Sequence, residues 1–192
     1  MRRWMVMLWI GCCAAWPAGA AAPMVEATVE VYYSPHGGCT EAIVSTLAAA
    51  RQSVLVQAYS FTSPPIETAL VEAARRGVRV QLILDRSNLH QKSSELAAAA
   101  AAGLPVMVDF KHEIAHNKIM IVDGAIVITG SFNFTRNAEE HNAENLLILH
   151  SRELAALYTA NWQQHYQHSQ ASSVHVSAMV KTGKAAPLQP AP

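Results

Sequence analysis

No disulfide framework can hold this chain together. Of its three cysteines, Cys12 and Cys13 lie in an apolar N-terminal stretch with the marks of a leader. Cys39 is then left alone, so a packed core must supply the stability, and an intersubunit bond through Cys39 is the one pairing left open. An excess of positive charge is also missing: Lys+Arg and Asp+Glu both number 14. Losing Arg2 and Arg3 with the leader takes Lys+Arg from 14 to 12 against 14 acidic residues. A polyanionic partner must therefore be met by a local patch, in binding that is modest and salt-sensitive. Nor is any apolar run long enough for a stable membrane span. The stretch Trp4 to Trp16 follows Arg2 and Arg3 and runs into Pro17 and the small residues Ala18-Gly19-Ala20. Residues 1–20 accordingly read as a signal peptide cleaved near Ala20, which predicts a periplasmic or secreted protein. A lipoprotein signal ending at Cys12 fits less well, because Trp9 stands where a smaller aliphatic residue is expected.

From Thr28 onward, strand-like and helix-like segments alternate. Thr28 to Tyr33 and Ser53 to Tyr59 are rich in β-branched and aromatic residues, and Glu41 to Arg51 carries Ile43, Leu47 and Ala50 at helical spacing. Ser63-Pro64 opens a second helix that closes at Arg75-Arg76-Gly77, and Val78 to Leu84 is the next strand. An alanine-rich helix over Ser94 to Ala102 and a short strand over Pro105 to Val108 follow. Asp123-Gly124 joins the strands Lys118 to Val122 and Ala125 to Thr129 as a hairpin. Asn145 to Leu149 reads as the last strand, and a helix from Ser151 to His168 places Leu154, Leu157, Tyr158, Trp162 and Tyr166 on one face. The pattern predicts one α/β domain over residues 28–168. Residues 169–192, aperiodic and rich in Ser, Ala, Lys and Pro, read as a disordered tail.

The chemistry concentrates in His116-Asn117-Lys118 with Asp123, in Gly130-Ser131-Phe132-Asn133, and in Asn142-Ala143-Glu144-Asn145. Two residues apart on a strand, His116 and Lys118 project from one face, so an imidazole and an ammonium converge on one small anion. A phosphodiester suits that pair. His116 would attack phosphorus, Lys118 would neutralise the non-bridging oxygens, and Asn133 would donate a further hydrogen bond. Glu144 is the candidate to orient the imidazole, with Ser131 completing that support or touching the phosphate. Strict alternation puts Asp123 on the side opposite Lys118, which gives it a structural part at the turn or interface.

These residues resemble the HKD motif of the phospholipase D superfamily. The likeness runs from about Val31 to Tyr166 and takes in Tyr33-Ser34-Pro35, Ala58 to Thr62 and Arg76-Gly77-Val78. It is strongest to the single-motif bacterial EDTA-resistant periplasmic endonucleases. The resemblance implies a mixed β-sheet flanked by helices on both faces and a catalytic set of His116, Lys118, Asn133, Glu144, Ser131 and Asp123. It further implies a phosphohistidine intermediate, chemistry without metal or cofactor, and a homodimer with a shared active site. In-line displacement also calls for a nucleophile and an acid on opposite sides of phosphorus, yet the chain has one complete motif. His90-Gln91-Lys92 begins like a second, but Ala97 replaces the Asp and no Gly-Ser-x-Asn follows. Two copies of the chain would supply both histidines. The expected substrate is DNA or RNA, with phospholipid head groups as the alternative.

Rival readings share the same residues. His112-Glu113-Ile114-Ala115-His116 spells the H-E-x-x-H of zinc peptidases, which needs a helix where β-branched strand sequence begins. A serine hydrolase pairing Ser131 with His116 would lack the Gly-x-Ser-x-Gly elbow. His112 and His141 fall near the site and could line a groove, whereas His36, His90, His150, His165, His168 and His175 receive no role. Arg86 and Lys92, after a strand end, are the candidate contacts to a phosphate backbone. Phe132 and Phe134 suit core packing better than base stacking.

Overall fold

The computed structural model describes residues 22–172, so the expected leader and the chain beyond Ser172 lie outside the described residues. The strands are β1 (Thr28–Ser34), β2 (Ser53–Ala58), β3 (Phe61–Thr62), β4 (Arg79–Asp85), β5 (Val106–Asp109), β6 (Lys118–Val122), β7 (Ile126–Gly130), β8 (Phe134–Thr135), β9 (Glu144–His150) and β10 (Gln170–Ala171). The helices are α1 (Cys39–Ala49), α2 (Pro64–Arg75), α3 (Leu96–Ala101), α4 (Arg136–Glu140) and α5 (Arg152–His168). Eight strands form one sheet in the order β1-β9-β7-β6-β2-β4-β5-β10, and β3 pairs with β8 in a separate two-stranded sheet. The large sheet is mixed: β2, β4 and β5 run parallel, and the remaining pairs are antiparallel.

The central strands are mostly apolar because both faces are covered, with Gln57 of β2 a buried polar exception. On one face, Val54 and Val56 of β2, Leu82 and Leu84 of β4 and Met120 of β6 meet Ile43, Leu47, Ile66 and Leu70 from α1 and α2. On the other, Leu55, Ile83, Ile119, Ile121 and Val127 meet Ala155 and Trp162 of α5. The Trp162 indole N–H donates to the Val56 carbonyl at 2.9 Å, so the largest side chain under α5 is satisfied where it is buried. The expected layers, a mixed sheet between helices, are those observed.

The hairpin also forms as expected. Asp123 and Gly124 adopt φ of 53° and 58°, and the Ala125 N–H donates to the Val122 carbonyl at 3.0 Å, the double left-handed turn that Asp-Gly favours. Other boundaries move for tertiary reasons. Helix α1 begins two residues before the expected Glu41 because Gly38, at φ 81°, turns the chain in and the Glu139 carboxylate accepts from the Thr40 N–H at 2.8 Å. That cap comes from a distant segment and leaves no local trace. The pair β3 and β8 is too short to show a period, yet it buries Phe61 and Phe134 completely. The expected tail needs correction at its start. Ser169 and Ser172 are buried, and Gln170 and Ala171 pair antiparallel with Val108 and Met107 at the edge of the sheet.

Candidate active site

Lys118 opens β6, a strand interior to the sheet, and pairs with Ala58 of β2. That register brings Tyr59 alongside, its N–H donating to the Asn117 carbonyl at 2.8 Å. The Tyr59 ring lies 4.6 Å from the His116 ring, tilted by 58°, and the Lys118 ammonium sits 5.3 Å from the Tyr59 centroid. Lys118 Nζ approaches His116 Nε2 at 3.1 Å and donates to the His116 carbonyl at 2.9 Å. An ammonium has only protons to give, so Nε2 must be the acceptor. In that contact Nε2 offers a lone pair, the form of the ring that a nucleophile requires.

Lys118 is 8% exposed, whereas His116 is open to solvent. Burial pushes the Lys118 ammonium below its ordinary lysine value, and the Glu144 carboxylate opposes that shift. One cleft borders the pair directly and a second borders its neighbour Tyr59. One, of about 400 Å³, is bordered by His116, Lys118, Thr129, Leu157, Tyr158 and Asn161. The other, of about 620 Å³, is bordered by Tyr59, Ser60, Gln91, Asn133, Arg136 and Asn137. Asn133 borders the second cleft; its Oδ1 is buried with no hydrogen-bond partner, and only its amide N–H groups could donate to a phosphate oxygen.

The remaining sequence-predicted residues divide. Glu144 accepts from the Asn142 amide at 3.1 Å, and its charge acts on Lys118; in this chain it makes no hydrogen bond to His116. Ser131 is engaged in holding β9, its Oγ accepting from the Asn145 backbone N–H at 3.0 Å and side-chain amide at 3.3 Å. Gly130 permits that approach: at φ 147°, a Cβ there would sit 2.3 Å from the Asn145 carbonyl oxygen. Asp123 stands at the far end of β6. Its carboxylate accepts from the backbone N–H groups of Arg51, Gln52 and Ser53 at 2.9, 2.7 and 2.9 Å. Burial would raise its carboxyl, but these donors prevail and hold it below the usual carboxylate range. Including Asp123 among the catalytic residues is therefore corrected, and its expected structural part at the turn stands.

The zinc-peptidase reading fails on geometry. Residues 110–117 form no helix, and His112 turns away to bond Asp109 at 2.9 Å while His116 faces Lys118. Arg86, a candidate phosphate contact, donates to the Glu113 carbonyl at 3.0 Å and so props this same loop. Phe132 and Phe134 are fully buried in the core. Cys39 is fully buried as well, and burial with the nearby Glu139 and Glu41 charges pushes its thiol up to about 11, which argues against an intersubunit disulfide. His90 and Lys92 lie exposed in a loop, consistent with the absence of a second motif. Two contributions went unread. Tyr59 carried no assigned role, although an aromatic at the end of β2 is one register step from the motif. His165 and His168, set aside, converge with His112 on Asp109.

Residues 43–166 match the family model described as cardiolipin synthase, PLD-like domain. The chain belongs to the phospholipase D superfamily. It is a phosphodiesterase of that superfamily. A protein named phospholipase D from Rickettsia felis is 45% identical over 139 residues, 72% of this chain and 70% of that protein. The mitochondrial cardiolipin hydrolase of Canis lupus familiaris is 31% identical over 81% of this chain and 61% of its own length. Among solved structures, Nuc from Salmonella typhimurium, a phospholipase D family member, superposes with a TM-score of 0.72 at 37% identity, covering 77% of this chain and 99% of that one. The phospholipase D fold thus places the His116 and Lys118 pair at the mouth of its central strands.

Proposed function

We propose that this phospholipase D superfamily enzyme hydrolyses nucleic acids as a non-specific endonuclease, with His116 as nucleophile. The observation that carries the mechanism is the Lys118 ammonium, 3.1 Å from the His116 Nε2 lone pair at an open cleft. A phosphodiester entering there exchanges that contact for one between Lys118 and a non-bridging oxygen. His116 Nε2 then forms a bond to phosphorus as the bond to the leaving oxygen breaks. The leaving oxygen takes a proton from His116 of the partner subunit, which enters protonated. Water next attacks phosphorus, gives its proton to that same imidazole, and breaks the phosphorus–nitrogen bond. Asn133 and Lys118 steady the charge on the non-bridging oxygens throughout.

Among the described residues one imidazole, that of His116, stands at this cleft, which supports a homodimer sharing its active site as the working enzyme. A polynucleotide fits because polar groups continue beyond the pair: Ser60, Gln91, Asn133, Arg136 and Asn137 line the second cleft. Tyr59 supplies a ring face between the two. A second reading, hydrolysis of phospholipid head groups, is favoured by Phe110 and Ile114. These side chains are 42% and 55% exposed on the loop that delivers His116, where they could enter an interface. No helix among the described residues is long and apolar enough to cross a membrane.

Offering the purified chain DNA, RNA and phosphatidylcholine vesicles side by side tests the substrate. Nucleic-acid cleavage that His116→Ala abolishes is the expected result. Turnover of the lipid alone overturns the nuclease reading. Mixing active and His116→Ala subunits tests the shared site: activity should fall faster than the fraction of active chains, and a strictly proportional fall excludes it.

A further inference from the structure

We propose that Asp109, His112, His165 and His168 form a structural zinc site that clamps the C-terminal helix to the loop delivering His116. The four residues come from the end of β5, the loop after it, and the last turn of α5. Their ligand atoms all lie within 4.8 Å of one another. Three ring nitrogens converge on one carboxylate oxygen: His112 Nδ1 at 2.9 Å, His165 Nδ1 at 3.2 Å and His168 Nε2 at 3.2 Å from Asp109 Oδ2. The rings themselves are mutually packed, with centroids 4.9, 5.1 and 5.2 Å apart.

Hydrogen bonding alone accounts poorly for that convergence. A carboxylate oxygen offers about two lone-pair sites, yet three imidazoles point at this one. The second oxygen of Asp109 is already occupied, accepting from the backbone N–H groups of Lys111 at 2.9 Å and His112 at 3.2 Å. Those bonds fix the carboxylate from behind, as outer partners do for a metal ligand. Tetrahedral zinc with bonds of about 2.0–2.1 Å spaces its ligands about 3.3 Å apart, so the three Asp109–histidine separations need to open by only a few tenths of an ångström, while ring nitrogens up to 4.8 Å apart draw together by side-chain rotation.

Three imidazoles and one carboxylate are a borderline donor set suited to zinc. All four positions would be filled by protein, which leaves no place for substrate and marks the site as structural. Asp109 is fully buried, while the side chains of His165 and His168 keep 15% and 21% exposure, enough to admit an ion. The clamp would secure α5 and β10 against β5 in a chain whose sole cysteine among the described residues is free. It would also fix one end of residues 110–117, whose other end is His116 and Lys118. His116 does not enter the site, so zinc would govern stability and leave the phosphodiester chemistry to the His116 and Lys118 pair.

The test strips the full purified chain with chelator, dialyses it, and restores zinc while metal content and thermal unfolding are followed. One zinc per chain and a Tm rise of about 5 °C or more are expected. Cobalt in place of zinc should give the intense visible bands of a tetrahedral site. His165→Gln and His168→Gln should each lose stoichiometric metal and the Tm rise, whereas His90→Gln keeps both. Uptake below about 0.1 zinc per chain, an unmoved Tm, or uptake indifferent to both glutamine variants would overturn the proposal. Should either variant fail to fold, the stoichiometry and the cobalt spectrum of the unaltered chain still decide.

Discussion

Two polar clusters sit at the two ends of the loop between β5 and β6, and they are built to opposite ends. Around Asp109, every polar atom turns inward: three imidazoles close on a fully buried carboxylate that is also held by two backbone N–H groups. Around Lys118, the polar atoms turn outward. A nearly buried ammonium and an exposed imidazole share one hydrogen bond at the cleft. Burying a charge is costly unless it is fully paired. The Asp109 carboxylate is surrounded by donors from within the fold, whereas the Lys118 ammonium has no carboxylate at hydrogen-bond distance among the described residues and takes a full counter-charge only from a phosphate. Histidines of identical chemistry are thus sorted by the charge beside them, a carboxylate in one cluster and an ammonium in the other.

This contrast can be broken most severely at His116. His116→Ala should lower the hydrolysis rate by at least about 10³-fold while shifting thermal unfolding far less than a core substitution, because the exposed ring gives up only its Tyr59 contact and one bond from Lys118. Retained activity would end the covalent mechanism. Asp109→Ala should do the reverse, costing about 3–5 kcal/mol in urea unfolding by leaving three imidazoles facing an emptied centre. The same carboxyl carries a pH signature. Burial would raise it, but the His112, His165 and His168 contacts hold it well below the usual carboxylate range. Its contribution is therefore present above the unfolded value of about 3.9 and is lost as pH falls below that.

Lys118→Met should sharpen the comparison by giving opposite signs in one protein. Activity falls with the loss of the phosphate clamp, while Tm rises by about 2–4 °C, since keeping a buried ammonium charged costs stability at neutral pH. A lower Tm would mean that the cation is paid for by contacts within the fold. The smallest effect is expected at Glu144. Its charge raises Lys118 against the lowering by burial, so Glu144→Gln should shift the alkaline limb of kcat/KM to lower pH. If the loss is instead equal at every pH, Glu144 acts by orienting the imidazole rather than through charge.

Much of this was legible from local pattern. The apolar runs of β2, β4 and β6 could only be buried strands, and the face of α5 carrying Trp162 could only pack against them. His116 and Lys118 share a site as their two-residue spacing suggested, although His116 precedes β6 and is held there by the Lys118 bond and the Tyr59 ring rather than by strand geometry. The Asp123-Gly124 turn followed from backbone sterics alone. What local pattern could not carry was any contact made across the chain. The Glu139 cap on α1, the pairing of β3 with β8, and the strand formed by Gln170 and Ala171 have no periodic or motif signal. The strings D-x-x-H and H-x-x-H were visible at 109–112 and 165–168, but nothing in either points to the other.

The sequence by itself determined the elements, the layer architecture and the chemical identity of the catalytic pair, because each depends on residues a few positions apart. The tertiary structure alone decided which histidine does what. The string His112 to His116 is equally a zinc motif, a strand entry or a loop when read along the chain. The fold separates its two imidazoles, sending one to a buried carboxylate shared with α5 and the other to a lysine at an open cleft. The physical reason is that an imidazole is donor, acceptor, ligand or nucleophile according to the groups that surround it, and those groups are assembled only by folding.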